Sequence, residues 1–99
     1  MSFKKTTITI PNSLYGDREQ AVYTKDGIGV GRVGKAWGIF HVAGQAEVYH
    51  KLQRRTKAEA IKVAEQILAL DVSWTKGKDC REFEEQFRAA VGDIRRIAG

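Results

Sequence analysis

The sequence predicts an α+β domain: an antiparallel meander of four to five strands over residues 5–53, then two C-terminal helices, at about 57–70 and 80–97, packed on one sheet face. Three features point to it. Apolar residues alternate by two from Phe3 to Gln53 and recur by three and four from Thr56 onward. Turn signals at Lys25-Asp26-Gly27, Gly34-Lys35 and Ala43-Gly44-Gln45 divide the first half. Capping signals, Thr56-Lys-Ala-Glu59 and Asp79-Cys-Arg-Glu82, open both helical stretches. No repeat, linker or low-complexity run divides the 99 residues, so residues 1–99 are expected to form a single domain.

Each element has a local reason. Thr6–Ile10 is β-branched throughout and ends at Pro11-Asn12; residues 12–18 read as a loop. Gln20–Thr24 is a short strand whose Asp-Gly turn leads into Ile28–Val33, and Trp37–Val42 follows. Glu47–Gln53 alternates as a last strand, with Ala46, Val48, His50 and Leu52 facing one way and Glu47, Tyr49, Lys51 and Gln53 the other. In the first helix Ile61, Ala64, Ile67 and Leu68 form an apolar stripe widened by Ala60. The second carries Cys80, Phe83, Phe87, Ala90, Val91, Ile94 and Ile97 on one side. On the other, Arg81/Glu85 and Glu84/Arg88 stand four apart, with Arg95 and Arg96 at the negative helix end.

Composition narrows the function. The single cysteine excludes an intramolecular disulfide scaffold. The start, Met1-Ser2-Phe3-Lys4-Lys5, has no apolar signal region, and Glu59, Lys62 and Glu65 break the longest apolar stretch, so a soluble cytoplasmic protein without a membrane partner is expected. The net charge of +5 is unevenly spread. Residues 1–57 hold ten Lys or Arg against four Asp or Glu, while residues 58–99 hold seven against eight. The strand half therefore carries the positive field, which attracts polyanions or simply confers solubility.

Catalytic motifs are weak. Gly29-Val-Gly31-Arg-Val-Gly34 matches a dinucleotide loop, but such a loop must open a helix, and here a strand follows; a tightly turned hairpin accounts for it. His41, His50 and Cys80 lack zinc spacing, and the two histidines are expected to face each other across adjacent strands as a hydrogen-bonded pair. Cys80 lies on the apolar stripe and reads as core, as does Trp74 at the core edge. No nucleophile–base–acid set emerges, so no catalytic residue, metal or cofactor is expected, and the protein is expected not to be an enzyme.

The basic and aromatic residues of the sheet are the remaining candidates: Tyr23, Trp37, Phe40 and Tyr49, interleaved with Lys25, Arg32, Lys35 and Lys51, with Arg54, Arg55 and Lys57 around the first helix N-terminus. Trp37 and Phe40 fall on opposite faces of one strand, so one large aromatic is expected on the outer face, opposite the helices. Sheets bind nucleic acid by entering a groove or by stacking bases on aromatics. The three cations near the helix start suit a phosphate and equally suit water.

Trp37-Gly-Ile-Phe-His-Val42, the Gly44 turn, Glu47–Leu52 and Thr56-Lys-Ala-Glu-Ala60 together resemble AP2-type and phage integrase arm-binding DNA-binding domains, over residues 28–69. The resemblance implies three strands and a helix, a sheet entering the DNA major groove, a phage or mobile-element origin, and base or phosphate contacts from Arg32, Lys35, Trp37, Tyr49 and Lys51. The chain differs from that pattern in its extra N-terminal strands and long C-terminal helix. The expected function is non-enzymatic nucleic-acid binding through a basic-aromatic sheet face, with DNA favoured over RNA. The alternative is a protein-interaction module, a regulator or inhibitor, homodimeric through the C-terminal helix.

Overall fold

A computed structural model describes residues 3–11 and 16–99. It contains one five-stranded antiparallel sheet in the order β1-β2-β3-β4-β5: β1 Lys4–Ile10, β2 Arg18–Lys25, β3 Ile28–Val33, β4 Ala36–His41 and β5 Ala46–Glu47. A 3-10 turn at His50–Leu52 precedes α1, Lys57–Leu68, and α2, Arg81–Ala98. The α+β architecture thus follows the periodicity of the sequence. Of the loop expected over 12–18, residues 12–15 lie outside the described residues and Arg18 already belongs to β2.

Asp26 and Gly27 both have positive φ, 50° and 90°, and Lys25 pairs with Ile28, which makes the two-residue hairpin that Asp-Gly favours. Thr56 caps α1 as expected: its hydroxyl oxygen accepts from the Glu59 amide at 3.2 Å and its hydroxyl donates to the Glu59 carboxylate at 3.0 Å. The cap expected from Asp79 does not form. The α2 N-cap is Cys80, without a side-chain hydrogen bond, because the helix starts one residue later than the Asp79 signal requires.

The last strand is the main departure. Only Ala46–Glu47 is strand, and Glu47–Gln53 does not alternate as expected. Val48 N donates to Ile39 O, and Arg54 and Trp37 exchange backbone bonds of 2.8 and 2.9 Å. Ile39 and Trp37 are two residues apart, whereas Val48 and Arg54 are six apart. The surplus chain winds into the 3-10 turn, which drops Leu52 into the core and leaves His50 exposed. His50 therefore does not face His41, and the expected histidine pair is absent.

The helices pack on one sheet face, α1 against β3 and β4. Between them lie Ile28, Val30, Ile39, Leu52, Ala60, Val63, Ala64, Ile67, Trp74, Phe83, Ala90 and Ile94. Fully burying such side chains contributes about 1.5–3 kcal/mol for each larger one. Trp74 closes the edge of this core and donates its indole N–H to Ile67 O at 3.1 Å. Cys80 packs against the same cluster.

The other sheet face is also closed, without a helix. Ile8, Val22 and Phe40 are buried there, with Ile10, Val33 and Val42 around them. Phe40 stands opposite Gly29, and Gly31 opposite Gly38. The β2–β3 ladder stops at Val22↔Gly31, where β2 bends away from β3 to stay with β1. A Cβ on Gly31 would lie 2.8 Å from Ala21 O, so this bend requires glycine. Buried Gln20 fills the gap, its side-chain amide donating to the carbonyls of Ala21 and Arg32 at 3.0 and 3.1 Å. The glycine hairpin thus curls the sheet, as the turn-rich sequence suggests.

Among the described residues His41 is the one buried titratable side chain of the helix-side core, 6% exposed. It stacks on Phe83 at 4.4 Å and meets Trp74 edge-on. Its Nε2 lies 2.8 Å from Lys76 O, and because a carbonyl only accepts, Nε2 carries the proton. Burial lowers its pKa from 6.5, reinforced by the Lys78 charge and opposed by hydrogen bonds to the Lys76 and Trp74 backbone. The folded chain therefore resists a proton that the unfolded chain accepts near its ordinary pKa. The His41 contribution is complete above that value and is lost as pH falls through it and on through the lower folded pKa. The thermal midpoint should fall between about pH 7 and about pH 5, and His41→Phe should flatten that fall. An equally steep fall in the variant would refute this role.

Gly92, exposed in the interior of α2, has no atom within 4 Å of where a Cβ would stand. Gly92→Ala should raise stability by about 0.5–1 kcal/mol in urea titrations; an unchanged midpoint would contradict it.

Candidate nucleic-acid interface

Because α1 and α2 cover β3, β4 and the 3-10 turn, the helix-side face of the β1–β2 ribbon stays open. Lys5, Thr7, Thr9, Glu19 and Ala21 are exposed on it, and Tyr23 and Lys25 are half-buried. Register orders this face into rows. Lys5 stands beside Tyr23, which stands beside Val30; Thr7 stands beside Ala21; Lys25 stands beside Ile28. On β3 and β4 the same face continues with Arg32 opposite Trp37.

Three cations on or over this face lie against rings. Lys57 Nζ, from the first turn of α1, is 3.3 Å from the Tyr23 ring centre, the Arg32 guanidinium 5.9 Å from Trp37, and Lys25 Nζ 6.0 Å from Phe3. Each such contact contributes about 0.5–1 kcal/mol at an exposed site and holds the cation in place. With Lys5, four cations and three rings share one surface. Its acids are marginal: Glu19 lies two alternate positions beyond Tyr23, Asp26 is in the β2–β3 turn, and Glu59 is engaged by the Thr56 hydroxyl.

The residues expected from sequence divide. Arg32, Trp37 and Lys57 come together here. Lys35 is exposed at the β3–β4 turn, next to Gly34, whose carbonyl accepts from Arg32 Nε at 3.1 Å. Arg55 is exposed just before α1. Arg54 is committed elsewhere: its guanidinium donates to the carbonyls of Lys51, Gln53 and Ile97 at 3.0–3.3 Å, tying the end of α2 to the sheet. Tyr49 packs against the helix-side core beneath α2, and Lys51 is exposed on the 3-10 turn beyond β4, so neither joins the cluster. Trp37 is on the helix side. The aromatic of the outer face is Phe40, which is 1% exposed and offers no binding surface.

Tyr23 and Lys25, also expected, join Arg32, Trp37 and Lys57, and Phe3 and Lys5, which sequence reasoning missed, complete the cluster. Phe3 and Lys5 alternate along one edge of the chain's first segment as Tyr23 and Lys25 do along β2; what alternation lacks is the register that sets Lys5 beside Tyr23. Among the described residues no three of His, Cys, Asp and Glu converge as metal ligands, and no helix is long and apolar enough to cross a membrane. No family model, curated protein or solved structure matches the chain.

Proposed function

We propose that the protein binds nucleic acid, duplex DNA in the first place, through the helix-side face of β1–β2 and the start of α1, and that it acts by binding and not by catalysis. The observation that supports this most is the grouping of Lys5, Lys25, Arg32 and Lys57 with Phe3, Tyr23 and Trp37 along the helix-side sheet face, from the open β1–β2 ribbon to the edge of the part that α1 covers. Cations braced on rings present fixed charge to phosphates, and the α1 N-terminus adds the positive end of its dipole. The ribbon itself favours DNA. A two-stranded β-ribbon fits the B-form major groove, while the A-form major groove of RNA is too narrow for side chains to read. Thr7, Thr9 and Ala21 are small enough to let the ribbon backbone approach base edges.

Fluorescence anisotropy with random duplex DNA, single-stranded DNA and structured RNA tests it. Four cations predict a fall in log K with log salt of slope about −3 to −4 on duplex, across about 50–200 mM. Lys5→Glu with Arg32→Glu should weaken binding to every duplex and reduce that slope by about 2. Lys51→Glu with Arg81→Glu makes the same change in charge at two exposed positions outside the cluster and should leave most of the binding in place. Equal losses from the two pairs would reduce the effect to net charge and overturn the site.

A further inference from the structure

The amphipathic helix α2 is only partly used by its own chain. Phe83, Ala90 and Ile94 are buried, while Phe87 and Val91, on the flank of that stripe, stay half-exposed. With Val48 and Tyr49 as the facing wall they form an open apolar groove, made of two adjoining depressions of about 220 and 260 Å³ that meet at Val48 and Phe87. Charge differs along the groove. Two acids, Glu47 and Glu84, and one cation, Lys78, line one depression, and Arg95 lines the other; Glu84 also pairs with Arg88 of its own helix at 2.7 Å, an exposed ion pair open to exchange of partner.

Positions 84, 87, 91 and 95 are spaced by three, four and four, so they form one continuous face of α2. Along it the order is acid, phenylalanine, valine, cation. That order is complementary to itself when reversed. A second α2 laid antiparallel brings Glu84 of each copy to Arg95 of the other and sets each Phe87 across from the other copy's Val91. A parallel copy would oppose like charges, and a partner of single sign would match one end and clash with the other. The helix also carries four cations and four acids, so two copies meet there on a neutral surface although the whole chain is +5. We propose that this groove is a homodimer interface, closed by the antiparallel α2 of a second copy with the Phe87 side chains exchanged between the two grooves. Such an isologous contact uses one self-complementary patch twice. It stands apart from the nucleic-acid face and does not depend on it.

Light scattering and sedimentation equilibrium of the full chain, over a range of concentrations, test the proposal. The expected mass is twice 11.1 kDa, dissociating on dilution. Glu84 and Arg95 are exposed, so charge changes there leave the fold intact, which circular dichroism checks. Each of Glu84→Arg and Arg95→Glu alone should raise the dimer dissociation constant about tenfold, since symmetry applies every change twice. The double swap should return it to within about threefold of the original. A chain that stays monomeric at every concentration overturns the proposal. So does a dimer indifferent to the single swaps, or one that the double swap fails to restore.

Discussion

Phe40 has to be buried on the face of the sheet that no helix covers, and much of the structure follows from that constraint. β4 is buried on both faces over Gly38–His41, with Ile39 and His41 turned to the helices and Phe40 turned away. Two helices can close only one side. The chain closes the other with its own strands: glycines at 29, 31 and 38 remove side chains from β3 and β4, β2 bends over Gly31, and Ile8 and Val22 settle on Phe40. The broken β2–β3 ladder is the local cost, and the Gln20 amide offsets it by satisfying the carbonyl left at Arg32.

That solution also determines which surface is free. Because β1 and β2 serve as the cover for Phe40 on one face, their opposite face projects beyond α1 and carries no core. It is there that lysines, threonines and Tyr23 are tolerated, since side chains on an uncovered strand face remain in water. α1 packs on β3 and β4, and the Trp37–Arg54 bridge returns the chain to the sheet three residues before the helix begins, so its first turn starts against the sheet. Lys57 therefore reaches Tyr23, and charge gathers at the boundary between ribbon and helix.

At the other end of the sheet the same bridge has a second effect. It forces the segment after Val48 out of the strand and into the 3-10 turn, so β5 is too short to cover α2 along its length. Arg54 holds the α2 C-terminus through the Ile97 carbonyl, and Phe83, stacked on His41, holds the first half of the helix. Between those anchors Phe87 and Val91 lack a full neighbour. The basic ribbon and the apolar groove thus belong to opposite flanks of one sheet, each left open by how the core between them was closed.

Much of the fold was legible from local pattern. The change of period at Thr56, the Asp-Gly hairpin and the Thr56–Glu59 cap depend on residues within a few positions of each other, and each appears where that pattern places it. The last strand was not legible, because its end is set by a bond between Trp37 and Arg54, seventeen residues apart, and alternation in Glu47–Gln53 holds no trace of it. Part of the candidate interface was equally out of reach. Tyr23, Lys25, Arg32, Trp37 and Lys57 stand out as cations and aromatics on strands, near turns and at a helix start, but that Arg54 is consumed as a tie to α2 and that Phe3 and Lys5 join the cluster are consequences of register and packing. The sequence by itself determined where the period changes and which residues must be buried. Which face each strand presents to the helices, and so which charges meet, was decided only by tertiary structure, since a strand's alternation defines two faces and long-range pairing alone chooses between them.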